Sequence, residues 1–414
     1  MSTSAACVAP PSETSRDAVG VTWHLVVTLG LLFAGVVPWR SNAYFEGSLD
    51  SVVLAKAGVI FAAALLALYP PGSRSTARSL LPAGPVCLVT AYLGASLVGA
   101  LTGGSIVASG IVAVRVAVVA FTLAVLAATY GADTMTRGLA RVFVLAFVVA
   151  TITGLGEFRG GRLRGGVPPL HFNELALVAA VCLVWVLGKV MRAQERAHDY
   201  LAIVVLAGVL YATGSRTTML ATLLAVLAMT MRAQRFTIGG LVAASCSIPV
   251  FAYLLVGTDV ITSVLDRGGT ESLTTLSNRT IAWNAAINAV GDWLERLFGR
   301  GLAVKHVEVA GQWWPTQILD SSWVSALVQA GWVGLVIGAG WLVVAVWRAG
   351  RSHSVFAAVW LGWIVCIGVR AFLESGLLDA SASFLILWTV SLACWLPAAR
   401  TSGRPALGRG RHRR

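Results

Sequence analysis

Ser277-Asn-Arg-Thr-Ile-Ala-Trp283, Phe298-Gly-Arg-Gly301, Asp320-Ser-Ser-Trp323 and Gly331-Trp-Val-Gly334 follow one another across residues 257–334, the one long polar interruption in an otherwise apolar chain. From Ser277 the pattern turns helical. Trp283, Ile287, Val290, Leu294 and Leu297 recur at spacings of three and four, and Asn284, Asn288, Asp292 and Glu295 take the opposite side. Ser277 suits the start of such a helix and Gly299 its end. An amphipathic helix held between membrane spans predicts a lid or half-exposed floor. The plainer alternative is a surface helix resting on the bilayer.

Outside this stretch the composition decides the class. Of 414 residues, 57% are hydrophobic and 12% charged, which excludes a soluble fold. A spanning helix needs roughly 20 apolar residues. Twelve such runs are expected, at about 21–39, 51–69, 80–100, 105–129, 139–156, 171–188, 199–213, 215–231, 237–256, 321–347, 354–373 and 376–397. Gly214 predicts a tight turn between the seventh and eighth. The expected fold is therefore all-α, a polytopic bundle of about 12 transmembrane helices with one long extracytoplasmic loop containing an amphipathic helix. The divisions are 1–20 (tail), 21–256 (spans one to nine), 257–320 (loop), 321–397 (spans ten to twelve) and 398–414 (basic tail). Cys87, Cys182, Cys246, Cys366 and Cys394 lie in apolar runs and Cys7 in the amino-terminal tail, so no disulfide framework is expected. The first span reads as an anchor rather than a cleavable signal.

Net charge is +13. Eighteen of the 31 basic residues fall in one alternating set of loops and the carboxy-terminal tail, which the positive-inside bias assigns to the cytoplasm. Both termini are then cytoplasmic, residues 257–320 are outside, and no nucleic-acid partner is expected. Several positives defy this rule. Arg159, Arg162 and Arg164 precede Pro168-Pro-Leu-His-Phe-Asn-Glu174, Arg216 begins the eighth span, and Arg370 lies near the outer end of the eleventh. Arg267, Arg279, Arg296, Arg300 and Lys305 sit in the outer loop. An anionic ligand at the outer face is the simplest reason for them. Arg115 falls near mid-membrane, where a charge costs about 2.5–3.5 kcal/mol on insertion scales and so faces the bundle interior. Glu157 and Glu374 are its candidate partners, and an internal helix tie is as good a role as ligand binding.

The six histidines show no metal-ligand spacing, and no Walker loop or dinucleotide fingerprint occurs, so neither a metal nor a cofactor is expected. Outward-facing arginines remain. The guanidinium fork binds phosphate oxygens in pairs and stays charged at any working pH. Two or three of them would suit a diphosphate and stabilise it as a leaving group without a metal. A transfer to a hydroxyl also needs a general base. The outer-face candidates are Asp320, Glu374, His171, Glu174 and His306, each with a structural alternative. Asp320 could cap the tenth span, Glu374 could pair with Arg370, and His171 with Asn173 could cap the sixth.

The succession of Gly214-Ser-Arg-Thr-Thr-Met-Leu220, Asn278-Arg279-Thr-Ile-Ala-Trp283, Phe298-Gly-Arg-Gly301, a polar doublet and Gly331-Trp-Val-Gly334 resembles the bacterial O-antigen ligase and O-antigen polymerase superfamily. Pro169-Leu-His-Phe-Asn-Glu174 resembles a motif that precedes the same core. The likeness covers roughly residues 165–395. It implies an inverting glycosyltransferase at the outer face of the bacterial plasma membrane. The donor would be an undecaprenyl-diphosphate-linked glycan, the acceptor a glycan or lipid, and other membrane proteins of polysaccharide assembly would be partners. Arg216 and Arg279 stand at the family's diphosphate-contacting positions. Asp320-Ser321 departs from the His-Asn of ligases, which leans toward a polymerase or exopolysaccharide relative. On this reading Asp320, with Glu374 or His171 behind it, is the catalytic base. Arg216, Arg279, Arg370, Asn173 and Trp283 bind substrate. The rival expectation is a transporter or flippase for a polysaccharide or lipid-linked precursor.

Overall fold

A computed structural model describes residues 23–40, 50–69, 82–103, 105–158, 162–233, 279–288, 291–309 and 316–396. The expected ninth span, both tails and residues 257–278, 289–290 and 310–315 of the outer loop, including Ser277, lie outside the described residues. Helices α1 (Trp23–Val36), α2 (Ser51–Leu68), α3 (Ala83–Thr102), α4 (Ile106–Tyr130) and α5 (Ala132–Gly154) form the amino-terminal part. Then come α6 (Phe172–Met191), α7 (Ala197–Ala212) and α8 (Arg216–Ala233). The carboxy-terminal part holds α9 (Arg279–Asn288), α10 (Trp293–Phe298), β1 (His306–Glu308), β2 (Thr316–Ile318), α11 (Ser322–Arg351), α12 (Ala357–Arg370) and α13 (Ala382–Trp395). Among the described residues, six helices (α2, α3, α4, α5, α6 and α11) are long and apolar enough to cross a membrane. The protein is a multi-pass membrane protein.

Helices α6 and α13 are apolar on every side and occupy the core, buried along almost their whole length. Around them α8 packs on α12, α3 on α11, and α1 on both α2 and α5. Helices α1, α12 and α13 have 14 residues each. At 1.5 Å per residue that is about 21 Å, short of the roughly 30 Å hydrocarbon thickness.

Both ends of the bundle carry arginines on aromatic faces, Arg162 lying over Phe172 at the start of α6, and their connections tell them apart. At one, basic side chains lie on aromatic faces: Arg137 and Arg192 over Phe356, and Arg348 over Trp395 at 3.9 Å. At the other, the α3–α4 and α12–α13 connections meet the α9–α11 segment, Ser105 Oγ donating to the Arg300 carbonyl and Ser322 N–H to the Glu374 carbonyl. Gly214 takes φ +63 and makes the tight turn expected between α7 and α8.

Three expectations are corrected. The single amphipathic helix running from Ser277 to Phe298 is two helices, α9 and α10, with Gly291 and Asp292 between them. The β-branched, alternating stretches around Val307 and Ile318 pair as an antiparallel ribbon with His306 opposite Ile318, so the protein is mostly rather than wholly helical. The tenth span is longer than expected, reaching Arg351, and is broken at Gly331, whose φ of 65° and ψ of −165° leave the helical region.

That break has an identifiable cause. It frees carbonyls that would bond four residues on, and Arg300 N–H donates to Val328 O at 2.8 Å and Gly301 N–H to Gln329 O at 3.0 Å. Ser96 Oγ donates to the same Gln329 carbonyl at 2.8 Å. Irregular backbone at membrane depth is tolerated only where protein covers it, and here Phe298-Gly-Arg-Gly301 supplies the cover. The approach demands glycine on both partners. A Cβ at Gly299 would stand 2.5 Å from Ala330 N, and one at Gly331 would collide with the Leu297 carbonyl.

Gly331→Ala is expected to lower the stability of the solubilised protein by at least ~2 kcal/mol, through the positive φ and the overpacking together. Gly340→Ala in the same helix has open space within 4 Å and serves as the control. Equal thermal unfolding midpoints for both variants, followed by tryptophan fluorescence, would refute a constrained break.

Candidate active site

The turn after α12, the start of α11 and the start of α9 bring three charged side chains together. Arg279, the first residue of α9, places Nε 3.3 Å from Asp320 Oδ2 and Nη2 3.7 Å from Glu374 Oε1. Its Nη1 donates to the Leu373 carbonyl at 2.9 Å. Asn173, in the first turn of α6, donates from Nδ2 to Glu374 Oε1 at 2.6 Å. Ser322 anchors this turn: its Oγ donates to the Glu374 carbonyl at 2.7 Å and accepts from Leu377 N–H at 3.2 Å.

The structural alternatives to catalysis fall out differently from one another. Ser321, not Asp320, caps α11, its Oγ accepting from Val324 N–H. That leaves the Asp320 carboxylate to Arg279. His171 occupies the cap position of α6 but makes no side-chain cap bond, and Asn173 turns to Glu374 instead. Arg370 is only 1% exposed. It donates to Thr218 Oγ1, the Asn173 carbonyl and Glu174 Oε1 at 3.2, 2.9 and 3.3 Å, and stands 4.0 Å from Glu374 Oε2. The buried guanidinium is thus satisfied by the groups that surround it.

Asp320, Glu374, His171, Asn173, Arg279, Glu174 and Arg164 all line one cavity of about 1440 Å³. Arg370 lies behind its wall, in a small buried recess with Glu374 and Ser322. Arg216, the first residue of α8, is exposed and lies outside the cavity wall, as does half-buried Trp283 on α9. The cavity also takes in Arg40, Asp50 and Lys56 near the α1–α2 connection, Arg115 of α4, and the Lys305–Asp379 ion pair. Arg115 donates from Nη2 to the Gly35 carbonyl at 2.8 Å. The carboxylate in electrostatic reach is Asp379 rather than the expected Glu157 or Glu374. Neither Lys56 nor the Lys305–Asp379 pair stood out in the sequence. A lone lysine near a helix start looks ordinary, and the pair spans 74 positions.

The electrostatics follow from counting charges. Two guanidiniums, Arg279 and Arg370, face three carboxylates, Glu174, Asp320 and Glu374. Burial pushes Glu374 up to about 7, against Arg370 and Arg279, with Glu174 and Asp320 adding to the rise. Burial likewise raises Asp320, and Arg279 opposes it. His171 is held below its usual range by the shielding of the cavity wall and then by Arg164. Burial also pushes on Asp379, but Lys305 and Arg115 outweigh it and hold that carboxyl low. The cavity thus presents one firmly neutral imidazole, one carboxyl poised near neutrality and one carboxylate answered by a single arginine.

Residues 201–337 match the O-antigen ligase family model. The matched segment takes in Gly214–Leu220, Arg279, Phe298–Gly301, Asp320 and the Gly331 break. It ties the chain to surface-polysaccharide assembly and to glycosyltransferase-like chemistry, with a lipid-linked glycan and a polysaccharide acceptor as the general partners. A search of curated proteins found no match.

Glu374 is expected to be protonated below about pH 7 and ionised above it. Infrared difference spectra of the purified protein should show a carboxyl band that disappears with a midpoint near 7 and is missing in Glu374→Gln. Arg279→Gln removes a neighbouring positive charge and should move that midpoint upward. A midpoint in the ordinary carboxylate range would refute the buried, three-carboxylate arrangement.

Proposed function

We propose that the protein transfers a glycan from undecaprenyl diphosphate to a glycan or lipid acceptor at the outer face of the bacterial plasma membrane. The observation that carries this reading is the Arg279 fork over Asp320 and Glu374 in the wall of a large cavity, with Arg279 and Asp320 inside the segment that matches the family. The transfer is an inverting, metal-independent displacement. A base takes the proton of the acceptor hydroxyl, the oxygen attacks the anomeric carbon, and the diphosphate leaves from the opposite face.

Asp320 is the base. Its carboxylate meets one arginine and is open to the cavity, whereas Glu374 Oε1 is already held by Asn173. Glu374 and His171 are the alternates. Arg279 is the centre of the diphosphate clamp and Arg216, at the exposed start of α8, its outer arm. Arg370 supports the clamp from behind by fixing Glu174, Glu374 and the Asn173 backbone. Asn173 borders the substrate within the cavity, and Trp283, outside its wall, would meet only a part of the substrate that extends beyond it. The chain crosses the membrane twelve times with both termini in the cytoplasm, and the cavity end faces outward. A transporter or flippase would place its site near the midplane between matching halves. The gathering of arginines and carboxylates at one end of the bundle supports the enzyme instead.

Arg279→Lys keeps the charge and loses the fork. It is expected to slow transfer by roughly 10²–10³-fold, the scale of removing one preorganised donor at a developing charge. Asp320→Asn should abolish transfer with protein level and donor binding intact, and Asp320→His should restore part of it. An active Asp320→Asn beside a dead Glu374→Gln would move the base to Glu374. Normal transfer by Arg279→Lys would remove the clamp.

The orientation is tested separately with single cysteines in a cysteine-free background. Val167→Cys should react with a membrane-impermeant maleimide in intact cells, and Gln194→Cys should not. The reverse pattern would invert the topology.

A further inference from the structure

The Arg279 side of the cavity has positive charge for one of a diphosphate's two phosphates and little for the second. Glu174, Asp320 and Glu374 line it against Arg279 and Arg164, and Arg279 already has a carbonyl and two carboxylates about it. The opposite wall differs. There Arg40, Lys56, Arg115 and Lys305 line the cavity against Asp50 and Asp379, a surplus of two positive charges among the described residues. Both carboxylates are occupied. Asp50 bonds Arg40 and caps α2, and Asp379 bonds Lys305. Lys56 makes no hydrogen bond or ion pair among the described residues, and the buried Arg115 Nε has no partner.

Two cations on neighbouring helices, close enough to repel one another, share the reach of Asp50 and Asp379 with the Arg40 and Lys305 side chains that bond those carboxylates. Such an arrangement is costly in a membrane and marks a place where an anion belongs. The surroundings say what carries it. Phe61 of α2 and Val107 and Val114 of α4 line the same cavity yet are 60%, 76% and 63% exposed. Helices α2 and α4 pack together, so this apolar opening lies on the lipid-facing surface of the bundle. Lys56 is the sixth residue of α2 and Arg115 the tenth of α4. They lie about 8 and 14 Å along helices that both start at the cavity end. Both line the same cavity, so a phosphate drawn in from its mouth meets Lys56 first and Arg115 deeper along the wall.

We propose that Lys56 and Arg115 form a seat for a phosphate carried on a membrane lipid, which enters through the apolar opening between α2 and α4. Where the lipid is the polyprenyl diphosphate donor, the seat rests on the transfer reading. It puts the lipid-side phosphate on α2 and α4 and leaves Arg279 to the phosphate next to the sugar. A bulk anionic phospholipid presents the same chemistry.

The test uses the full chain in phosphatidylcholine nanodiscs with farnesyl diphosphate as the probe, binding being followed by tryptophan fluorescence. Lys56→Gln and Arg115→Gln are each expected to weaken binding roughly tenfold, the loss of one charge-assisted contact, and Arg115→Lys to weaken it less. Lys56→Gln breaks no bond among the described residues, so its result stands even if Arg115→Gln fails to fold. A second arm purifies parent and variants from phosphatidylglycerol vesicles and measures retained lipid. If the parent ignores farnesyl diphosphate but holds phosphatidylglycerol, and Lys56→Gln releases it, the seat stands with a bulk lipid and the donor assignment fails. If Lys56→Gln binds and retains both probes as the parent does, the seat is overturned, whatever Arg279→Lys does to transfer.

Discussion

Inside a membrane a backbone amide or carbonyl must be answered by protein, and the broken helix α11 is where this constraint presses hardest. The turn at Gly331 leaves the Val328 and Gln329 carbonyls to Arg300 N–H, Gly301 N–H and the Ser96 hydroxyl. The Phe298–Gly301 strip is therefore a structural member of the bundle, wedged between α3, α4 and α11, and not a cover lying over it. Ser105 Oγ donates to the Arg300 carbonyl at 2.6 Å and fixes the strip from the α4 side. Once the strip is fixed, the chain on either side of it is fixed as well. Helix α9 with Arg279, the ribbon with Lys305, and Asp320 at the mouth of α11 are all placed relative to one joint.

The charged groups at that mouth work as a set. Ser322 ties the start of α11 to the turn carrying Glu374, and Asn173 and Arg370 tie that turn to α6 and α8. No member can be described by a single partner. Arg279 answers two carboxylates, and Glu374 is close to two guanidiniums, yet burial, with Glu174 and Asp320 beside it, pushes it up to about 7. The cavity's other wall carries the compensating positive surplus. A substrate with an anionic head and neutral sugars would find its head drawn to one side and its reactive bond left at the other.

Much of this was legible in the sequence because membrane helices are long and their punctuation is local. Eleven of the expected spans have a helix at their place, Gly214 makes the turn, and Gly299 ends its helix. The motif order carried the likeness to the ligase family, which the match over residues 201–337 bears out. The misses share a physical cause. Gly331 was quoted as a motif, but its break depends on a strip 30 residues earlier, and hydrophobic periodicity runs unbroken through it. The ribbon was missed because three-residue strands carry almost no pattern. Arg370 and Arg279 looked alike as outward arginines. Only packing reveals that one is sealed behind the wall and the other faces the cavity. Asp320 offered itself as a helix cap, and the neighbouring serine performs that task because α11 starts at Ser322 and Ser321 holds the position before it.

Arg115 has a consequence for how the chain is assembled. Its hydrogen-bond acceptor, Gly35, belongs to the first helix, and its balancing carboxylate, Asp379, to the last connection, 264 positions downstream. During synthesis α4 meets its acceptor at once and its counter-charge only when nearly the whole polypeptide has been made. A shortened chain ending before α12 would contain every amino-terminal helix and still leave an unbalanced cation in the hydrocarbon. The last connection therefore brings a carboxylate within reach of this cation only when the chain is nearly complete, and the surplus of positive charge on that wall remains.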